Sequence, residues 1–77
     1  MDKTFLELLN TQYEWPADYL FKFVVPKANL NTFLSTIDLK DYKEKESSKG
    51  KYVSITFTWK MNCAEDVIKI YQKAAEV

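Results

Sequence analysis

The run from Tyr52 to Lys60 constrains this chain most. Val53, Ile55, Phe57 and Trp59 alternate there with Ser54, Thr56, Thr58 and Lys60. A two-residue period puts the apolar set on one side of a β-strand and the polar set on the other. One face of the resulting sheet must be covered and the other left open. The cover has to be helical, because two further segments carry apolar residues at three-and-four spacing. One follows Asn29, an expected N-cap, and holds Leu30, Phe33, Leu34 and Ile37. The other follows Asn62, with Glu65 three residues on as in a capping box, and holds Val67, Ile68, Tyr71, Ala74 and Ala75.

The remaining segments fit around that layer. A short helix is expected over residues 2–10, capped by Asp2, with Phe5, Leu6, Leu8 and Leu9 on one side. A connector follows, stiffened at its end by Trp15-Pro16. Asp18 to Val25 reads as the first strand, with Tyr19, Phe21, Phe23 and Val25 alternating with Leu20, Lys22 and Val24. Pro26 ends it. Leu39 to Glu46 reads as the second strand, and its Lys43-Glu44-Lys45-Glu46 run suits a sheet edge, where charge discourages pairing with other chains.

These elements make one α+β domain over residues 1–77. A helix and connector occupy 1–17, and a ferredoxin-like β-α-β-β-α core occupies 18–77, as a two-layer sandwich with an antiparallel sheet. The fourth strand that closes such a core is not apparent before Val77, so the first strand is expected as an open edge.

The hairpin turns at Ser47-Ser48-Lys49-Gly50, which contains the chain's single glycine. Glycine takes the positive φ that other residues adopt only at a cost. A four-residue loop over Ser47 to Gly50 pairs Glu46 with Lys51 and sets Tyr42 beside Ile55, facing the core. A three-residue loop with a bulge at Gly50 points Lys43 and Lys45 inward instead. The first is expected, because burying two lysines costs more than burying one tyrosine whose hydroxyl reaches the surface.

Residue types exclude several functions. There is no histidine and one cysteine, Cys63, so neither an internal disulfide, a Cys/His zinc site nor a histidine-based catalytic triad can be assembled. The eleven basic residues are all lysine and balance eleven acidic ones. Nucleic-acid binders favour a basic face with arginine forks, so none is expected here. With one glycine there is no phosphate-binding loop. The first βα connection, Pro26-Lys27-Ala28-Asn29, carries neither the arginine of a phosphatase-like site nor a Cys-x-x-Cys metal motif. Glu65 and Asp66 complement a helix dipole. The Phe57/Trp59 pair belongs to the covered side and is not expected as a base-stacking platform. No cofactor and no enzymatic activity are expected. The first residues lack a signal-peptide pattern and no apolar run reaches membrane-spanning length, so a cytoplasmic location without membrane contact is expected.

Two motifs carry a resemblance. Trp15-Pro16-Ala17-Asp18-Tyr19-Leu20-Phe21-Lys22 and, downstream, Ser47-Ser48-Lys49-Gly50-Lys51-Tyr52-Val53-Ser54 resemble the YbeD-like family of small bacterial proteins, a domain of unknown function. The similarity spans roughly the last four-fifths of the chain, with both motifs in order. It implies a ferredoxin-like βαββαβ domain similar in shape to small regulatory ACT domains. It brings no catalytic or ligand-binding residues.

Two surfaces stand out as candidate sites. Ser47, Ser48, Lys49 and Lys51 surround a tight turn whose backbone N–H groups and lysines suit an anion or a partner, although turn chemistry alone accounts for the same residues. Leu20, Lys22 and Val24 lie on the open side of the first strand, and two apolar residues there suggest a cover. The N-terminal helix and a second copy of the chain are the two candidates. The expected function is a non-enzymatic regulatory or protein-interaction module acting through its sheet, as a homodimer or with another protein. The alternative is an ACT-like sensor that binds a small metabolite as a dimer.

Overall fold

A computed structural model describes residues 3–77, so the Asp2 cap lies outside the described residues. Helix α1 (Lys3–Gln12) leads into strand β1 (Ala17–Pro26). A 3-10 turn (Lys27–Asn29) and helix α2 (Leu30–Thr36) follow, then β2 (Lys43–Glu46), β3 (Tyr52–Met61) and α3 (Ala64–Ala75). The sheet is antiparallel in the order β1-β3-β2. This is an α+β arrangement compatible with a ferredoxin-like layout.

The alternation in β3 works as expected. Val53, Ile55 and Phe57 are buried under the helices, Trp59 is half-buried beside them, and Thr58 and Lys60 are exposed. β1 contributes Tyr19, Phe21 and Val25 to the same side. Phe21 is fully buried at the centre of an aromatic cluster, with ring centroids 4.7 Å from Tyr19, 5.1 Å from Phe57 and 5.6 Å from Tyr71. Such offset and edge contacts add to the burial of large rings, which a chain this short needs. α2 seals one end through Phe33 and Ile37, and α3 inserts Ala64 and Val67. Ala75, expected on the buried side of α3, is exposed, while Ile70 and Ala74 are half-buried against the core. On α1, Leu9 is buried and Phe5 and Leu6 are half-buried, while Leu8 is exposed.

Three expectations about element ends are corrected, for local reasons. β2 starts at Lys43 rather than Leu39. Residues 37–39 instead close α2: the Leu39 N–H donates to the Leu34 carbonyl (3.0 Å) and the Asp38 N–H to the Ser35 carbonyl (3.3 Å). With Asp38 at φ 53°, this is a Schellman ending with aspartate in the left-handed position usually held by glycine. Leu39 is buried by that motif, not by a strand. At α3 the N-cap position falls to Cys63, without a side-chain bond, so the capping box of Asn62 and Glu65 does not form. Asn29 does precede α2, but its side chain makes no cap bond.

The hairpin register is the fourth correction. Glu46 lies opposite Val53 and Glu44 opposite Ile55. The Ser47 N–H donates to the Tyr52 carbonyl (2.8 Å), so the loop is Ser48 to Lys51. Pairing is two residues from the expected register, and an even shift preserves the faces. Tyr42 is half-buried against the core as expected, though not beside Ile55. Lys43 and Lys45 are exposed and share a side with Thr56 and Ser54.

Candidate functional site

The open side of the sheet is built by parity. On β1 it receives Asp18, Leu20, Lys22 and Val24, and on β3 it receives Tyr52, Ser54, Thr56, Thr58 and Lys60. On β2 it receives Lys43 and Lys45, which pair with Thr56 and Ser54. Among the described residues, three of the four exposed large hydrophobic ones lie here: Leu20 (60% exposed), Val24 (64%) and Tyr52 (50%). A face that concentrates such residues differs from a surface where they are scattered singly.

The N-terminal helix does not cover this face. α1 packs on the helix layer, where Phe5 meets Tyr71 edge-on at 5.8 Å and Leu9 enters the core. Of the two covers expected for Leu20 and Val24, the intramolecular one is thereby removed.

Charge is sorted across the sheet by the same parity. The alternating Lys43-Glu44-Lys45-Glu46 run sends both lysines to the open face and both glutamates to the helix side. On the helix side, Lys27 donates a hydrogen bond from Nζ to Glu46 Oε1. That bond and the glutamate's charge raise the Lys27 pKa above its ordinary value. On the open face, Lys22 and Lys43 flank Thr56, and Lys45 flanks Ser54. Among the described residues, none of these three lysines makes an ion pair with a carboxylate. Asp18 stands opposite Lys60 at the far end of the strands.

The backbone divides the same way. The Lys27 N–H bonds the Lys51 carbonyl (2.9 Å), so odd-numbered β1 residues face β3. The N–H and C=O groups of Asp18, Leu20, Lys22 and Val24 therefore point to the outer edge of β1, which no strand pairs among the described residues. The central strand β3 is bonded to β1 over Tyr52–Met61 and to β2 over residues 53–56.

The two candidate surfaces merge. One shallow groove is lined by Lys22, Val24, Lys45, Ser47, Ser48, Tyr52 and Ser54, with Glu46 at its rim. A second runs on from Ser47, Ser48 and Tyr52 to Lys49 and Lys51. The hairpin itself is held by the Gly50 N–H to the Ser47 carbonyl (2.9 Å), and Ser47 Oγ accepts from the Tyr52 N–H (3.2 Å). Gly50 sits at φ +69° with no atom within 4 Å of where a Cβ would stand. Ser47 and Gly50 thus have structural work to do, while Lys49 and Lys51 are exposed at the tip. Lys43 extends the surface beyond the sequence-derived set, and the two-residue charge period within a strand is the signal that could have found it.

A separate notch opens at the β1 edge on the helix side, lined by Phe23, Pro26, Asn29, Phe33, Ala74 and Val77. No charged side chain lines it. Among the described residues there is no cluster of three potential metal-ligating side chains, and no helix is long and apolar enough to cross a membrane. The Phe57 and Trp59 rings sit under the helices, so the open face offers no stacking pair.

Comparison with known proteins places the chain in a family. Residues 10–77 match the family described as protein of unknown function (DUF493), so the chain belongs to it, as the two motifs implied. No curated protein and no solved structure matches the chain.

Proposed function

We propose that this DUF493 domain is a non-enzymatic protein-interaction module that works through the open face of its sheet. One observation carries the reading: Leu20, Val24 and Tyr52 lie exposed on one face, around three lysines that make no ion pair with a carboxylate among the described residues. Exposed apolar residues bordered by polar ones mark interaction surfaces. The chain has no histidine to activate a serine or cysteine nucleophile, which favours binding over catalysis of that kind. The sensor reading ranks lower. The helix-side notch has no charged side chain to receive the ammonium or carboxylate of an amino acid, and a buried unpaired charge is costly.

Site-specific photo-crosslinking in the native host tests this. A benzophenone side chain at Val24 is expected to give a discrete adduct that Leu20→Lys abolishes. The same group at Lys69, exposed on α3, is expected to give none. Adducts from Lys69 alone, or adducts at Val24 indifferent to Leu20→Lys, refute the reading.

A further inference from the structure

The open face is shaped as well as charged. Its central strand carries short side chains, Ser54, Thr56 and Thr58. The flanking strands carry longer ones, Leu20, Lys22 and Val24 on β1 and Lys43 and Lys45 on β2. Ser54 and Thr56 are only half-exposed although no element lies over them, and each stands between longer cross-strand neighbours, Val24 and Lys45 for Ser54 and Lys22 and Lys43 for Thr56. The result is a trough along β3. Its walls stand two strand spacings apart, about 10 Å, close to the width of an α-helix.

The walls differ in chemistry. The β1 wall presents apolar Leu20 and Val24 around Lys22, and the β2 wall presents Lys43 and Lys45, with Asp41 just before the strand at the Leu20 end of the same face. Along β2 the two lysines stand about 7 Å apart, near the roughly 6 Å between residues four apart on a helix. Between Ser54 and Thr56 the floor has no backbone group to offer, since β3 is bonded there to both β1 and β2. An extended peptide would leave its own backbone unsatisfied there and would go to the β1 edge instead. A helix satisfies its backbone internally. A second copy of the same face brings the same excess of lysine over aspartate, so an occupant that supplies negative charge is the better match.

We infer that the trough along β3 docks an acidic amphipathic helix of a partner protein, with an apolar stripe toward Leu20 and Val24 and carboxylates toward Lys22, Lys43 and Lys45. This rests on the interaction reading above and names the partner's chemistry. The chain has equal numbers of acidic and basic residues overall. The basic face comes from sorting by parity, not from excess charge.

The test is a backbone-amide NMR titration with a synthetic helix of about sixteen residues, carrying a leucine stripe flanked by glutamates four apart. Its lysine-for-glutamate counterpart, inorganic phosphate and a single-stranded oligonucleotide complete the set. Expected are saturable shifts at Leu20, Lys22, Val24, Lys43, Lys45 and Ser54 with the acidic helix only. The double variant Lys43→Glu, Lys45→Glu should weaken that helix about tenfold and give binding to the basic one. Equal binding of both peptides overturns the inference. So do shifts confined to the helix layer, no saturable response at millimolar peptide, and equal shifts from phosphate or the oligonucleotide. A self-association abolished by Val24→Lys overturns it in favour of a second copy. If crosslinks at Val24 form while the acidic helix fails to bind, the interaction reading stands and this inference alone falls.

Discussion

Replacing Gly50 by alanine isolates one backbone torsion. Gly50 has φ +69°, and a Cβ added there meets nothing within 4 Å. No clash therefore contributes, and the bond from the Gly50 N–H to the Ser47 carbonyl is retained. The left-handed conformation costs an L-residue about 1–2 kcal/mol. Alanine also narrows the unfolded ensemble, which offsets about 0.4–1 kcal/mol of that. The net loss should be about 1 kcal/mol. For a chain of 77 residues, an unfolding entropy of about 2.1 cal/mol/K per residue converts this into a fall in Tm of roughly 6 °C. Urea unfolding should show a lower midpoint with an unchanged slope, since the exposed surface does not change. Gly50→Asn should lose less than alanine, because asparagine tolerates this region. A Gly50→Ala protein as stable as the parent would refute the assigned turn geometry. A loss above about 3 kcal/mol would show that something occupies the space found empty.

Two other outcomes follow from buried hydroxyls and helix ends. Tyr19 and Tyr71 share a hydrogen bond between hydroxyls at 3.2 Å. Burial first, then that bond and the charge of Tyr71, push the Tyr19 pKa up to about 12. Above pH 10 the unfolded chain releases this proton while the native state keeps it, so stability present below pH 10 is lost as pH rises toward 12. Screening at the partly open hydroxyl reduces the loss to about 1–2 kcal/mol. Tyr19→Phe should flatten the stability–pH profile over that window, and an unchanged slope counts against it. At the Schellman ending, Asp38→Gly should match or exceed parental stability, whereas Asp38→Val should cost about 1–2 kcal/mol at φ 53°. Thermal melts that reverse this order would show that the aspartate side chain, rather than its backbone, holds the turn.

The layers were legible because burial leaves a period. β3 alternates without a break over Val53 to Lys60, and the buried set matches it. Helix ends were less legible because they are decided by hydrogen bonds that need no particular side chain. Asn62 and Glu65 form a plausible capping pair, yet the cap falls one residue later on Cys63. Asp38 in a left-handed position, with Leu39 tucked under it, replaced the start of an expected strand. Leu39 and Tyr42 both turn toward the core although they stand three apart, a spacing that one face of a strand cannot supply and a helix ending followed by a loop can. The turn was placed correctly but the register was not. One glycine marks where φ is positive without saying which residues on either side close the loop.

The same reasoning explains why the candidate face was only half visible. Leu20, Lys22 and Val24 could be assigned to the open side from β1 alone. The charged run in β2 has no apolar residue to orient it, and a one-residue slip would exchange its lysines for its glutamates. In the other parity the open face would carry Glu44 and Glu46 beside Lys22, and a mixed surface of that kind has no preference for an acidic partner. The parity is set from outside the run, by half-buried Tyr42 before it and the Ser47–Tyr52 pair after it. Tyr42 must reach the core, so Lys43 cannot. The basic character of the face thus follows from the burial of one neighbouring tyrosine, and the two-residue register shift leaves it unchanged.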